Sequence, residues 1–170
     1  MKKYTEFLND NNPKVEMKVK EFGSMIIELF PSVAPITVEN FLGLVDNNFY
    51  DGIIFHRVIK GFMIQGGDPK GTGMGGSSRK IKGEFLSNGV NNELMHTKGV
   101  ISMARTFIPN SASSQFFIMH EDAPHLDGEY AAFGVVLEGL DVVDKIANVK
   151  TLAQDRPSID VVIECVKRVS

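Results

Sequence analysis

Between Phe55 and Asp68 the chain sets a cation, a soft apolar residue and an amide at even spacings: Arg57, Met63 and Gln65, with Phe62 beside them. Residues two apart on a strand share a face, so a β-like segment would present these groups together. A second stretch, Ser113 to Ile118, repeats the mixture with Gln115, Phe116 and Phe117. Together they read as an apolar pocket with a few fixed polar groups. Chemistry that needs an activated nucleophile or a metal finds little support. His56, His96, His120 and His125 are dispersed, with no pair at H-E-x-x-H spacing, and Cys165 has no cysteine partner. Ser111, Ser113 and Ser114 sit in no G-x-S-x-G elbow. No metal or cofactor is expected.

Gly71-Thr72-Gly73-Met74-Gly75-Gly76 formally satisfies G-x-G-x-x-G, but the next residues, Ser77 to Gly83, have no helical period. A dinucleotide site needs a strand before the motif and a helix after it. The glycines read instead as a loop that lets backbone lie close to a peptide.

Elements able to hold these groups can be read from periodicity. Lys14 to Lys20 alternates, with Val15, Met17 and Val19 on one side, as a half-buried strand does. Gly23-Ser24 makes a turn, and Met25 to Phe30 reads as the returning strand of a hairpin. From Pro35 the period changes: Val38, Phe41, Leu42 and Val45 mark an amphipathic helix ending near Asn47 and Asn48. Strand-like runs come next at 53–58, 62–66, 100–104, 115–119 and 131–137. A second helix is expected over 140–149, with Leu140, Val143, Ile146 and Ala147 on one face. The last strand, 159–169, would turn Ile159, Val161, Ile163 and Cys165 to one side, burying an inert thiol. Phe55, Phe116 and Phe133 are assigned to the core. Short strands with Gly-rich turns suggest an antiparallel barrel, and two helices this far apart suit plugs for its ends better than a parallel sheet.

At 170 residues the chain suffices for one domain with a full core. Its net charge of −3 gives no reason to expect nucleic-acid binding, which usually leaves a basic patch. Residues 1–12 lack the apolar run of a signal peptide, and no stretch approaches the ~18 apolar residues of a membrane span. The expectation is a cytoplasmic protein with no membrane attachment. A monomer is the default, since no long apolar stripe asks for a partner.

The two stretches, Phe55 to Asp68 and Ser113 to Ile118, closely resemble the signature segments of cyclophilins, the peptidyl-prolyl cis/trans isomerases. In element order the resemblance spans Lys14 to Val169. It implies a mainly β fold, an eight-stranded antiparallel barrel capped by two helices, with 14–170 the isomerase domain and 1–13 a short extension. It implies catalysis of rotation about X-Pro bonds in peptides and in unfolded or flexible proteins, assisting folding. Arg57, Gln65 and Phe117 take catalytic positions. Phe62, Met63, Phe117 and Leu126 form the proline slot, Gln65 and Gln115 orient the arginine or the substrate, and Ala104, Arg105 and Thr106 lie on the segment beside the bound peptide. Gly73 and Met74 flank the pocket for residues preceding proline. On the residue pattern alone, Arg57 could also be a surface ion-pair residue, the phenylalanines ordinary core, and the glutamines solvent-facing.

Several positions depart from the family's usual residues. Where asparagine is common stands Arg105, so this side chain need not matter. Phe107-Ile108 lengthens the adjoining loop and makes it more apolar. Tryptophan, associated in the family with strong cyclosporin binding, is replaced by His125, so weaker binding of that drug is expected. Tyr130 occupies a usual histidine position and would close one side of the slot. The same pocket could alternatively serve a pure binding module for Pro-containing partners, although such a module could dispense with Arg57.

Overall fold

A computed structural model describes residues 1–169; of the expected 14–170 unit, Ser170 alone lies outside the described residues. In chain order the elements are β1 (Lys14–Val19), β2 (Gly23–Leu29), α1 (Pro35–Asp46), β3 (Arg57–Ile59), β4 (Met63–Gly66), β5 (Val100–Met103), β6 (Phe116–Met119), β7 (Ala132–Glu138), α2 (Leu140–Ala147) and β8 (Ile163–Arg168). The eight strands form one sheet in the order β3-β4-β6-β5-β7-β2-β1-β8, and every neighbouring pair is antiparallel. Backbone bonds from Gly52 N–H to the Ile163 carbonyl and from Phe55 N–H to the Val161 carbonyl join the approach to β3 to the approach to β8. They curl the sheet into the expected barrel, with a helix at each end.

Alternation along the strands sorts the side chains into an inner and an outer set. Ile64 of β4 pairs with Ile118 of β6, which pairs with Ile101 of β5, and all three are fully buried. Phe116 meets Phe41, Tyr50 and Phe55 at ring separations of 5.5–6.1 Å, each close to edge-on. Phe41 also meets Phe133 at 5.3 Å, so α1 plugs its end of the barrel with an aromatic stack. Phe55, Phe116 and Phe133 are all fully buried, as expected for core.

The helix α1 has no side-chain cap from its own N-cap residue, Ala34. Glu84 replaces it from a distant loop. Its buried carboxylate accepts bonds from Ile36 N–H (3.2 Å), Thr37 N–H (2.6 Å) and the Thr37 hydroxyl (2.7 Å), satisfying donors that a helix start leaves open. Asn40 then donates to the Ser113 carbonyl (2.7 Å), tying α1 to the approach to β6.

Three stretches differ from the sequence reading. The strand read over 53–58 forms only as Arg57–Ile59, with Ile54 in an isolated bridge to Val162. The last strand starts at Ile163, and Ile159 is exposed. A bulge opposite Lys18/Val19 shifts the register, so Ile163 and Val166 point inward and Cys165 is only partly buried, not the enclosed thiol the alternation predicted. In α2, Val142 joins Val143, Ile146 and Ala147 on the buried face while Leu140 is exposed, because the helix stops at Ala147 and its first residue lies at the rim.

Candidate active site

One cross-strand row builds the site. Arg57 on β3 sits opposite Gln65 on β4, Gln65 opposite Phe117 on β6, and Phe117 opposite Ser102 on β5. Directly opposed residues share a face, so four strands deliver a cation, an amide, a ring and a hydroxyl to the outer side of the barrel. The inner partners of the same strands, Ile64, Phe116 and Ile118, anchor the row through the core. A one-residue slip in any pairing would turn the row inward, and the buried core opposes such a slip.

Arg57, Phe62, Met63, Gln65, Ala104, Arg105, Phe117, Leu126 and Tyr130 surround a hollow of about 140 Å³. Its floor is apolar: Met63, Phe117 and Leu126 are nearly inaccessible and Phe62 is half-buried. Arg57 is exposed at its edge and has no carboxylate within ion-pair distance among the described residues. Nothing among the described residues thus pairs this cation with an acid. Arg57 Nη1 instead donates to Gln65 Oε1 (3.3 Å).

That bond begins a relay. Gln65 Nε2 donates to Gln115 Oε1 (3.0 Å), and Gln115 Nε2 donates to the carbonyls of Gly73 (2.9 Å) and Gly75 (2.8 Å). The relay ends on the glycine loop, which the buried carboxylate of Asp68 pins through the N–H groups of Lys70, Thr72, Gly73 and Gly75 at 2.7–3.0 Å. Burial pushes the Asp68 carboxyl up, but these bonds outweigh it and hold the group below the usual carboxylate range. Gly67 beside it has φ +96°, and a Cβ there would lie 2.4 Å from the Ser114 carbonyl, so only glycine lets the loop leave β4 this close to β6. Four of the N–H groups of 70–75 are thus spent within the chain, on Asp68.

Beneath the floor lies a group to which the sequence assigned no role. His96 is buried and stacks on Phe117, with centroids 6.0 Å apart and planes 18° apart. Its Nδ1 lies 3.1 Å from Asp127 Oδ1 and its Nε2 lies 2.8 Å from Ser102 Oγ. Burial drives the imidazole down to about 4, against the pull of Asp127. The neutral ring therefore donates from Nδ1 and accepts from the serine. The constellation has the order of a hydrolytic triad, but Ser102 has no exposed surface and cannot reach a substrate. No sequence spacing signals this group. Asp68 did carry a signal, an aspartate opening a glycine-rich turn.

The remaining expected residues fall around the hollow. Tyr130 meets Phe117 edge-on at 5.7 Å. His125 is exposed and does not line the hollow; its ring sits 5.7 Å from Phe62 on the rim. Gly73, Met74, Thr106 and Gln115 line a second hollow of about 330 Å³ that shares Gln65, Ala104 and Arg105 with the first. Arg105, whose side chain the family pattern leaves unspecified, is half-buried and firmly held. Its guanidinium carbon lies 4.6 Å from the ring centres of both Phe85 and Tyr130. Phe107 and Ile108 do not pack down: both are exposed. No group of three or more His, Cys, Asp or Glu is placed to hold a metal ion among the described residues, and no helix there is long and apolar enough to cross a membrane.

The geometry agrees with what the chain is similar to. A sequence model described as cyclophilin type peptidyl-prolyl cis-trans isomerase/CLD matches residues 14–168. A putative bifunctional phosphatase/peptidyl-prolyl cis-trans isomerase of Streptococcus pyogenes is 42% identical over 94% of this chain, which spans only 39% of that longer protein. The peptidyl-prolyl cis-trans isomerase CYP18-1 of Arabidopsis thaliana is 46% identical over 82% of this chain and 86% of its own length. Among solved structures, a Cryptosporidium parvum cyclophilin type peptidyl-prolyl cis-trans isomerase superposes with TM-score 0.86 at 35% identity, covering 94% of this chain and 98% of that one. The same protein determined in the presence of the dipeptide Ala-Pro gives 0.85 at 36% identity, covering 92% and 99%. With its barrel, its two capping helices and its family match over nearly the whole length, the chain belongs to the cyclophilin-type peptidyl-prolyl cis-trans isomerases.

Proposed function

We propose that the chain accelerates rotation about X-Pro bonds by non-covalent catalysis in the hollow bounded by Arg57, Phe62, Met63, Phe117 and Leu126. The observation that carries this reading is an apolar slot with an unpaired guanidinium at its edge. The barrier to rotation is the partial double bond of the amide, about 18–20 kcal/mol. In the twisted transition state conjugation is lost and the proline nitrogen regains a lone pair. A donor that bonds this nitrogen better than it bonds the planar amide lowers the barrier.

Arg57 is that donor. Gln65 holds one edge of its fork, and the other N–H groups remain for substrate. One charge-assisted bond contributes about 1.5–3 kcal/mol, or roughly 10- to 150-fold in rate. The rest of the acceleration comes from gripping the ring on Phe117, Met63 and Leu126, which removes water from the planar, more dipolar amide, and from backbone anchoring along 104–106. Gly73 and Met74 serve the residues preceding proline. The unit 14–170 carries this activity and 1–13 are an extension packed on the barrel, where Lys2 bonds the backbone of Glu93 and Met95. Clients are flexible or unfolded Pro-containing segments, met as a monomer in the cytoplasm. Cyclosporin binds more weakly than to members bearing tryptophan at the place of His125.

Exchange NMR on a short X-Pro peptide tests the reading. Acceleration of cis/trans exchange by the wild type, lost in Arg57→Ala with the fold intact, supports it. Saturable shifts without exchange would mark a binding module.

A further inference from the structure

The second hollow has a charge character that the fold does not require. Its lining includes Lys80 and Arg105 and no aspartate or glutamate. Neither cation has a carboxylate within ion-pair distance among the described residues, although the chain carries 21 acidic against 18 basic residues. Lys80 is exposed at the mouth of the hollow.

Arg105 is fixed before any ligand arrives. Its Nε and Nη2 donate to the Glu129 carbonyl (3.2 and 2.6 Å), and Nη1 donates to the Thr106 carbonyl (2.9 Å). Of the five N–H groups of a guanidinium, these bonds use three and leave two. The carboxylate of neighbouring Glu129 does not neutralise it, because that group accepts the Ser87 hydroxyl instead (2.9 Å). A cation already held between two rings loses little side-chain freedom when it meets an anion. The rim is apolar as well: Met74 is 90% exposed and Ile108 54% exposed.

Because Gln65, Ala104 and Arg105 line both hollows, a chain seated in the slot enters the second hollow within about two or three residues at ~3.3–3.6 Å each. We propose that this second hollow selects segments with an aspartate or glutamate two or three residues before the proline. Lys80 and Arg105 receive the carboxylate, and Met74 and Ile108 cover its apolar neighbours. The proposal rests on the isomerase reading for the position of the proline and adds a substrate class to it.

Exchange NMR on peptides that differ only in carrying Ala, Glu or Lys at those positions is the test. The Glu peptide is expected to exceed the Lys peptide about three- to tenfold in kcat/KM at low salt, since one exposed and one half-buried cation act on it. The gap should narrow near 0.5 M salt, where screening reaches within a few ångströms. In Lys80→Glu the Glu-to-Lys ratio, each normalised to the Ala peptide with the same enzyme, should fall to parity or invert. Glu and Lys peptides within about twofold of each other, a salt-independent gap, or a ratio unmoved by Lys80→Glu would overturn it. If no peptide is accelerated, the isomerase reading has failed by itself. The charge preference is then read from dissociation constants in shift titrations of the same peptides, where the same ratio supports it and parity overturns it.

Discussion

His96 lies flat beneath Phe117, its ring 18° from parallel and 6.0 Å away, with both ring nitrogens bonded. The slot's central ring thus rests on a buried polar group and not on an aliphatic cushion. Asp127, which holds one edge of the imidazole, is next in sequence to Leu126, which lines the hollow. Ser102, which holds the other edge, stands in the row with Phe117, Gln65 and Arg57.

This arrangement predicts an acid sensitivity. His96 is held down to about 4 in the fold by burial, while an unfolded chain binds the proton near 6.5. Between those values the unfolded state carries more protons, so stability rises with pH and is lost as pH falls from about 6.5 toward 4. The loss should approach on the order of 3 kcal/mol. Urea denaturation at pH 7 and pH 4.5 measures it, and ring NMR should find His96 neutral at pH 5.5. A protonated ring at that pH would contradict the assignment.

Arg57→Lys separates charge from shape. Lysine keeps the positive charge but cannot hold Gln65 with one N–H and reach the substrate with another in the same planar fork. The expected result is a loss of roughly tenfold or more in kcat/KM, most of it in kcat, as one transition-state bond worth about 1.5–3 kcal/mol is weakened. Denaturation should change by less than about 0.5 kcal/mol, the usual range for an exposed site.

Asp68→Ala removes the acceptor that the N–H groups of Lys70, Thr72, Gly73 and Gly75 share. The loop should loosen and the fold should lose about 1–3 kcal/mol. Hydrogen exchange is the discriminating readout: amides of 70–75 should exchange faster while those of β5 and β7 keep their protection. Gln115 would lose a fixed anchor at Gly73 and Gly75, so kcat/KM should fall without any change to a group lining the slot.

His125→Trp places a larger indole on the rim against Phe62. Calorimetry should show cyclosporin binding tighter than to the wild type by about tenfold, the worth of burying part of one aromatic side chain. Prolyl turnover should change much less, because His125 does not line the hollow.

Much of this was legible in the residues themselves. Alternation at 14–20 and the helical period from Pro35 reflect which side of an element is wetted, a local property written into the order of side chains. The run from Phe55 to Asp68 likewise held four residues that line the hollow, Arg57, Phe62, Met63 and Gln65, because a β-hairpin keeps residues of one face close in sequence: Arg57 and Gln65 are eight apart and directly opposed. Where local order failed, a distant partner had intervened. The bulge of β8 against β1 left Cys165 only partly buried, and Leu140 sits at an edge that only the assembled barrel defines.

Residue types and spacings offered a cation beside an apolar pocket, and the resemblance of two segments to cyclophilins supplied the class of chemistry. The supports of that chemistry came from the assembled fold. Glu84 caps a helix 47 residues away in the chain, His96 reaches Asp127 across 31, and Arg105 is wedged between Phe85 and Tyr130. Such contacts are set by strand order and register, which bring together residues with no periodic relation along the chain. A side chain's own type states what it can bond, and only the fold states what is within reach.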